Sequence, residues 1–348
     1  MSKKILHIIV KSSYAGVTTY TIRIVKNLSQ YEHHIISCYK GNAYKEIRAQ
    51  NIACDNLINW ENINYKSLLL KYYKAICFFL KNRFDIIHYH HGGIGVLLLA
   101  VIFRKKAQII HHLHGGNLIG DNSQQDISFI HLYLLKFISK RTYQFAVADH
   151  VFNEYKSKVK SIENLKLIKN SVPYFFQKKE SRKNSIGYIG RFTKEKGFKY
   201  FISVAAQNKI EQPELDFIVM GEMINISDSV VKLIPPSFDI YQFYENVDLL
   251  IFTSKATESL PLVVLEAISF DVGVIAYPLK GVVEILGDDY PLYIHKENGV
   301  ISEINHFYSD NFNRQKLSEI HLRRSNIFIF EDMTRKISSF YNSLSLNN

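Results

Sequence analysis

Short apolar runs rich in Ile, Val, Phe and Tyr alternate with stretches of helical periodicity along all 348 residues. Ile5–Val10 comes first and is followed by a helical stretch over Thr18–Gln30. Further runs are His33–Tyr39, Phe84–His90, Gln108–Leu113, Phe145–Phe152 and Leu165–Lys169. The second half repeats the theme at Ser185–Gly190, Asp216–Gly221, Val247–Thr253, Val272–Tyr277 and Pro291–Ile294. Strands that are apolar throughout need cover on both faces, which restricts the chain to parallel sheets with crossover helices. The βαβα order occurs twice, so the pattern predicts two doubly wound Rossmann-like α/β domains, over 1–175 and 185–330, with a final helix over 331–345. The polar segment Pro173–Asn184 has no period and reads as the linker. Ligands of such sheets bind beyond the carboxyl ends of the strands. The loops there are where chemistry is expected.

With 47% hydrophobic and 22% charged residues, the composition excludes a disordered or fibrous chain. Cys38, Cys54 and Cys77 are too few for a disulfide framework and read as buried thiols in a reduced cytoplasm. The longest apolar stretch, Gly92–Phe103, falls short of the ~20 residues of a spanning helix. No secretory signal is visible at the first residues, so a cytoplasmic protein, soluble or peripheral on the membrane, is expected.

The net charge of +11 is unevenly placed. Residues 1–175 hold 24 Lys and Arg against 10 Asp and Glu, whereas residues 176–348 hold 19 against 22. A basic half suits an anionic surface such as nucleic acid, phospholipid or a pyrophosphate-linked lipid. No nucleic-acid-binding motif accompanies it. Ile63–Phe84 instead places Leu69, Tyr72, Tyr73, Ile76, Phe79 and Leu80 at helical spacing among Lys66, Lys71, Lys74, Lys81 and Arg83. Phe129–Tyr143, with Lys136, Lys140 and Arg141, is similar. Such helices lie in a membrane interface, or pack on a sheet with their lysines turned outward.

Two motifs carry the chemistry. Glu258-Ser259-Leu260-Pro261-Leu262-Val263-Val264-Leu265-Glu266-Ala267 follows a buried strand and opens a helix. The unpaired N–H groups of a helix start favour an anion, and the two carboxylates can accept from sugar hydroxyls. Alternatively, Glu258 caps the helix and Glu266 is solvated. Gly187-Tyr188-Ile189-Gly190-Arg191-Phe192-Thr193-Lys194-Glu195-Lys196-Gly197 sets two cations, Arg191 and Lys196, on a loop after a strand, an arrangement suited to a diphosphate. Histidines cluster at two strand ends, His88, His90 and His91, then His111, His112 and His114. Strand alternation puts His88 and His90 on one face and His91 on the other. With no Cys or carboxylate woven between them, they are not read as a metal site.

Together the motifs resemble those of the retaining glycosyltransferases of family 4, the group 1 glycosyltransferases of GT-B fold. That family carries a Gly-Arg…Lys-Gly loop and, later, a Glu–seven residues–Glu motif containing Leu-Pro-Leu-Val. Tyr14-Ala15-Gly16-Val17, Asp85–His90, His112–Gly115, Ile168–Pro173 and Phe217–Gly221 resemble further family segments, and Phe330–Leu344 resembles its final helix. The resemblance implies two domains facing a cleft, the first for the acceptor and the second for the nucleotide-sugar. It implies that Arg191 and Lys196 bind the donor diphosphate, Glu266 the ribose, and Glu258 a hydroxyl of the transferred sugar. The N–H groups of Leu260, Leu262 and Val263 and the glycines Gly190 and Gly16 would line the donor pocket, and His114 would lie near the reacting carbon. A UDP-sugar is the expected donor ahead of a GDP-sugar, with no metal and no cofactor. A lipid-linked glycan is the expected acceptor, in bacterial surface polysaccharide synthesis (capsule or lipopolysaccharide). Departures are Ser259, Ala15 and Ser171 where the family has glycine, Glu222-Met223 after Gly221, and a short stretch from Gly221 to Pro236 where a family helix is expected to be missing. The competing readings are a sugar-nucleotide epimerase or phosphorylase on the same frame, and a degenerate, non-catalytic partner.

Overall fold

In the computed structural model, residues 2–58, 65–91, 93–115, 129–160, 163–180, 183–221, 230–255, 258–296 and 299–344 are described. The chain divides into two compact units, Met1–Lys169 with Glu331–Asn348, and Asn170–Phe330.

Unit 1 runs β1 (Lys4–Lys11), α1 (Gly16–Asn27), β2 (Glu32–Tyr39), α2 (Tyr44–Ala49), β3 (Ala53–Ile58), α3 (Tyr65–Lys81), β4 (Ile86–Tyr89), α4 (Ile94–Phe103), β5 (Gln108–Leu113), α5 (Phe129–Ser139), β6 (Tyr143–Ala146), α6 (Asp149–Val159) and β7 (Leu165–Leu167). Its seven strands are ordered β3-β2-β1-β4-β5-β6-β7, and their pairings are parallel. Alternation splits each strand between two faces. Leu6, Ile8, Ile87, Tyr89 and Ile109 join Ala75 and Phe79 of α3 and Val96, Leu97 and Ala100 of α4 in one apolar core. His7, His88 and His112 point to the other face.

Unit 2 runs β8 (Ser185–Ile189), α7 (Phe198–Glu211), β9 (Asp216–Met220), β10 (Lys232–Ile234), α8 (Tyr241–Glu245), β11 (Leu249–Phe252), α9 (Leu262–Ser269), β12 (Gly273–Ala276), α10 (Lys280–Leu286), α11 (Gly299–Tyr308) and α12 (Arg314–Ser325). Its sheet is β10-β9-β8-β11-β12, again parallel. The last helix, α13 (Phe330–Ser343), has its body in unit 1. There Lys3 Nζ donates to the carbonyls of Tyr341 (2.6 Å) and Leu344 (2.7 Å), and Tyr31 Oη donates to Asn342 (2.9 Å).

Three expectations differ from this. The run Phe145–Phe152 is strand only to Ala146, because Asp149 opens a helix whose first turn favours a carboxylate. Pro291–Ile294 makes a single bridge, Tyr293 to Ala276, rather than a strand. Strands β3 and β10 were not read from the sequence: the first carries Asp55 and Asn56, the second is three residues long, and both are sheet edges. Glu222 and Met223 lie outside the described residues.

Candidate active site

Each sheet has one place where the strand order reverses, and crevices form at such points. In unit 2 it lies between β8 and β11, since β9 and β10 build outward from β8 and the chain then returns to pair β11 on its other edge. The two motif loops leave these two strands side by side.

The loops are bonded together. Lys255 N donates to the Glu195 carbonyl (3.1 Å) and Thr253 Oγ1 to the Gly197 carbonyl (3.4 Å). Gly197 has φ +74°, and a Cβ there would sit 2.4 Å from Thr253 Oγ1 and 2.7 Å from the Thr253 carbonyl oxygen, so only glycine permits this approach. Within the frame, Lys196 Nζ donates to Glu258 Oε1, which also accepts from Ser254 Oγ (2.6 Å). Both members of the ion pair are partly buried, the lysine side chain 27% and the glutamate 15% exposed. An ammonium has three donors, so the pair leaves Lys196 capacity for an anion. Arg191 is exposed, and its carbonyl accepts from Tyr188 Oη (2.8 Å). Gly190, the last residue of the strand exit, has φ +147°.

Glu258 therefore does not cap α9, whose N-cap is Pro261. Leu262 and Val263 head this helix, ahead of the first turn bonds, which Val264 N (3.1 Å) and Leu265 N (3.3 Å) make to the Pro261 carbonyl. Leu260 is buried, and its carbonyl accepts from Asn170 Nδ2 (3.0 Å). Glu266 is not solvated: it is 3% exposed and its Oε2 accepts from Tyr244 Oη (3.1 Å).

Three contributors escaped the sequence reading. Ser254 orients Glu258, Tyr244 engages Glu266, and Gly281 lies against the Glu258–Ser259 backbone. A Cβ on Gly281 would fall 2.3 Å from the Glu258 carbonyl oxygen and 2.2 Å from that of Ser259. Ser254 and Gly281 follow the ends of β11 and β12, and this position was the one signal available.

In unit 1, Gly16 is the first residue of α1, with Ala15 as N-cap, and a Cβ on Gly16 would meet nothing within 4 Å. No tight approach among the described residues requires glycine there. His114 directly follows β5 and joins an array wider than the two clusters expected. His7 of β1 and His33 of β2 line up with His88, His90, His112 and His114 on one face. Nitrogens of His7, His88 and His90, and of His90, His112 and His114, lie within 4.8 Å of one another, close enough for a divalent ion. The rings, however, meet in hydrogen-bonded pairs at 2.9–3.1 Å, and His88 stacks on His90 at 4.2 Å. No carboxylate is bonded to the array among the described residues. The geometry is that of a hydrogen-bonded array rather than converging ligands. Burial pushes each of these imidazoles below its ordinary pKa, His114 to about 3.

Residues 173–323 match the family model described as glycosyl transferases group 1. The chain is 24% identical, over 94% of its length and 96% of the relative's, to an uncharacterized 41.2 kDa protein in the cps region of Klebsiella pneumoniae. A shorter stretch, 34% of each chain, is 30% identical to an uncharacterized glycosyltransferase of Haemophilus influenzae. Among solved structures, Anabaena HepE in complex with UDP and glucose superimposes with a TM-score of 0.74 over 98% of this chain and all of that one, at 19% identity. With its two parallel α/β units, the chain has the GT-B fold.

Proposed function

We propose that this glycosyltransferase transfers a sugar from a UDP-sugar, with retention of configuration, to a lipid-linked glycan during bacterial capsule or other surface polysaccharide synthesis. The observation that carries the reading is the Lys196–Glu258 pair at the switch point of unit 2, beside the start of α9. Arg191 and Lys196 take the diphosphate and stabilise the charge that develops on it as the sugar departs. Glu258, held by Ser254, accepts from a hydroxyl of that sugar. Glu266 takes the ribose. The N–H groups of Leu260, Leu262 and Val263 and the strand exit at Gly190 line the pocket. His114 and Gly16 of unit 1 serve the reacting carbon and the diphosphate. Turnover needs no metal, so EDTA leaves activity unchanged. The relative in a cps region supports the polysaccharide assignment, and the UDP in the HepE complex supports the base.

The acceptor side rests on unit 1. On α3, Leu69, Tyr73 and Leu80 form an exposed stripe, and Ile130 and Tyr133 are exposed on α5. Exposed Lys74, Lys81, Arg83, Lys105, Lys106, Lys140 and Arg141 belong to the same unit. Ala75 and Phe79 of α3 pack inward, while the stripe faces out. Lys71 departs from the expectation of outward lysines, being 6% exposed with its ammonium over the rings of Tyr39 (5.4 Å) and Tyr72 (4.9 Å). Among the described residues no helix is long and apolar enough to cross a membrane. We place the protein peripherally on the cytoplasmic face of an anionic membrane, where a polyprenyl-linked acceptor resides.

The test is a thermal-shift titration of the wild type and Glu266→Gln with UDP, GDP and ADP. Ligand at 100 times its dissociation constant adds about 2.7 kcal/mol of stability. A shift with UDP that the variant loses supports the donor site; no shift with any nucleotide overturns it. Sedimentation with anionic vesicles, lost in Tyr73→Ser/Leu80→Ser, tests the surface separately.

A further inference from the structure

The hydrogen bonds of the histidine array have a direction. His33 Nε2 bonds the carbonyl of Leu28 (2.8 Å), an oxygen that can only accept, so that nitrogen carries the hydrogen. A neutral imidazole has a single N–H, which leaves His33 Nδ1 bare. It faces His7 Nε2 at 2.9 Å, so His7 must donate there and keep its Nδ1 bare. His7 Nδ1 faces His90 Nε2 at 3.0 Å, and His90 Nδ1 faces His114 Nε2 at 3.1 Å. The same step repeats twice. All four rings are Nε2–H tautomers, and the queue ends on a bare Nδ1 of His114, which has no hydrogen-bond partner among the described residues.

We propose that the Leu28 carbonyl, acting through His33, His7 and His90, fixes the tautomer of His114 so that it presents a lone pair at the carboxyl edge of the sheet. This deepens the glycosyl-transfer reading and rests on it. A lone pair accepts from a sugar hydroxyl, and a neutral ring does not repel the positive charge that builds on the sugar carbon in an oxocarbenium-like transition state. His33, His7 and His90 are positioning residues.

Reversing one ring alone would set two N–H groups or two lone pairs face to face, a buried mismatch that disfavours the reversed arrangement. The neutrality of the rings follows from their surroundings. Tyr20 of α1 lies edge-on to His90, His112 and His114, Tyr31 edge-on to His33, and Tyr341 of α13 bonds His88 Nδ1 (2.5 Å). Phe145 of β6 covers His88 and His112. None of these supplies a negative charge at neutral pH.

A second queue provides an internal control. Tyr341, His88, His112 and Tyr20 are linked at 2.5, 2.9 and 3.4 Å, but a phenol at each end both donates and accepts. No carbonyl sets its direction.

Long-range ¹H–¹⁵N spectra of ¹⁵N-histidine-labelled full-length protein at pH 7 report each tautomer. We expect His114, His90, His7 and His33 as Nε2–H. In folded His33→Phe the anchor is gone, and His114 becomes a mixture containing Nδ1–H, with kcat down about tenfold and the donor KM within twofold. His33→Gln, whose amide donates to Leu28 and accepts from His7, restores the spectrum. The proposal is overturned by a protonated or Nδ1–H His114 in the wild type, by an unchanged His114 in folded His33→Phe, or by stoichiometric metal in the purified protein that displaces the ring protons. If the transferase reading alone fails, nucleotides give no thermal shift while the spectra still show the locked tautomer.

Discussion

The two units share an architecture and solve the same problem differently, namely how to bury polar groups against a parallel sheet. Unit 1 gathers neutral imidazoles that bond to one another. Unit 2 pairs opposite charges or carboxylates with donors: Lys196 with Glu258, Lys179 with Asp248 (3.7 Å), and Asp271 with His321 (2.9 Å). The contrast is sharpest between histidines. His321 is fully buried, yet its Nδ1 has a carboxylate partner, Asp271, which also accepts from Ser318 Oγ (2.5 Å) and Lys179 N (3.3 Å). The array in unit 1 has no such partner among the described residues. A histidine beside other histidines can be buried only neutral. Unit 1 is therefore the acid-sensitive half.

Acid gives the largest expected effect. The six imidazoles are held below the ordinary value of 6.5 in the folded unit. Below pH 6.5 the unfolded chain binds more protons than the folded one, so stability is complete above that pH and falls as pH drops. Each of the four fully buried rings, His7, His88, His90 and His112, contributes up to about 1.4 kcal/mol per pH unit once the pH lies well below 6.5, about 5–6 together, and the half-buried His33 and His114 contribute less. A domain stability of about 5–15 kcal/mol is then consumed within a few pH units. Urea midpoints at pH 7.5, 6.5, 5.5 and 5.0, followed with a probe in each unit, should show unit 1 failing first. Equal pH dependence of the two units would erase the comparison.

Lys196→Ala asks whether pairing in unit 2 serves chemistry or only structure. Removing a cation that stabilises leaving-group charge should lower kcat by about 10²–10³, or 2.7–4 kcal/mol. The melting temperature should fall only modestly, because Ser254 Oγ still donates to Glu258 (2.6 Å) in the variant. A large loss of melting temperature with kcat intact would make the pair a brace. Asp271→Asn probes the opposite case, a carboxylate placed away from the carboxyl edge of the sheet, between the end of α9 and β12. An amide cannot accept from Ser318, His321 and Lys179 together, and the loss should be about 2–3 kcal/mol in urea denaturation, with kcat unchanged.

What the sequence disclosed follows the same division. The doubly wound pattern, the switch-point loops and the motifs that bring Lys196 to Glu258 were readable because each is encoded locally: an apolar run ends, and polar residues follow at fixed spacing. The burial of Glu266 was not readable, since Tyr244 reaches it from a different helix. Nor was the membership of His7 and His33 in the array. Only strand order places β1 between β2 and β4, bringing residues 26 and 83 positions from His7 into contact with it. Lys71 looked solvent-facing because its aromatic partner Tyr39 lies on β2. Periodicity records which face of a helix is apolar and is silent on what a long side chain meets across the core.

The smallest effect concerns a histidine that belongs to neither solution. His111 lies on the opposite face of β5 from His112, its ring edge-on to Tyr89 at 5.5 Å, and both its nitrogens are buried without a hydrogen-bond partner among the described residues. Burial pushes its pKa to about 3, with nearby His91 adding to the shift. An unpaired buried polar group costs about 1–3 kcal/mol, and leucine has a similar volume with nothing to satisfy. His111→Leu should therefore stabilise unit 1 by about 1 kcal/mol at pH 7, raising its melting temperature by about 2–4 °C. The gain should widen at pH 5.5, where one fewer ring resists protonation. His112→Leu, one residue along, should do the reverse at pH 7, because it strands the bonds to His88 and Tyr20. Equal effects from the two variants would mean that ring-to-ring bonding contributes nothing to holding imidazoles in this sheet, and that burial alone decides.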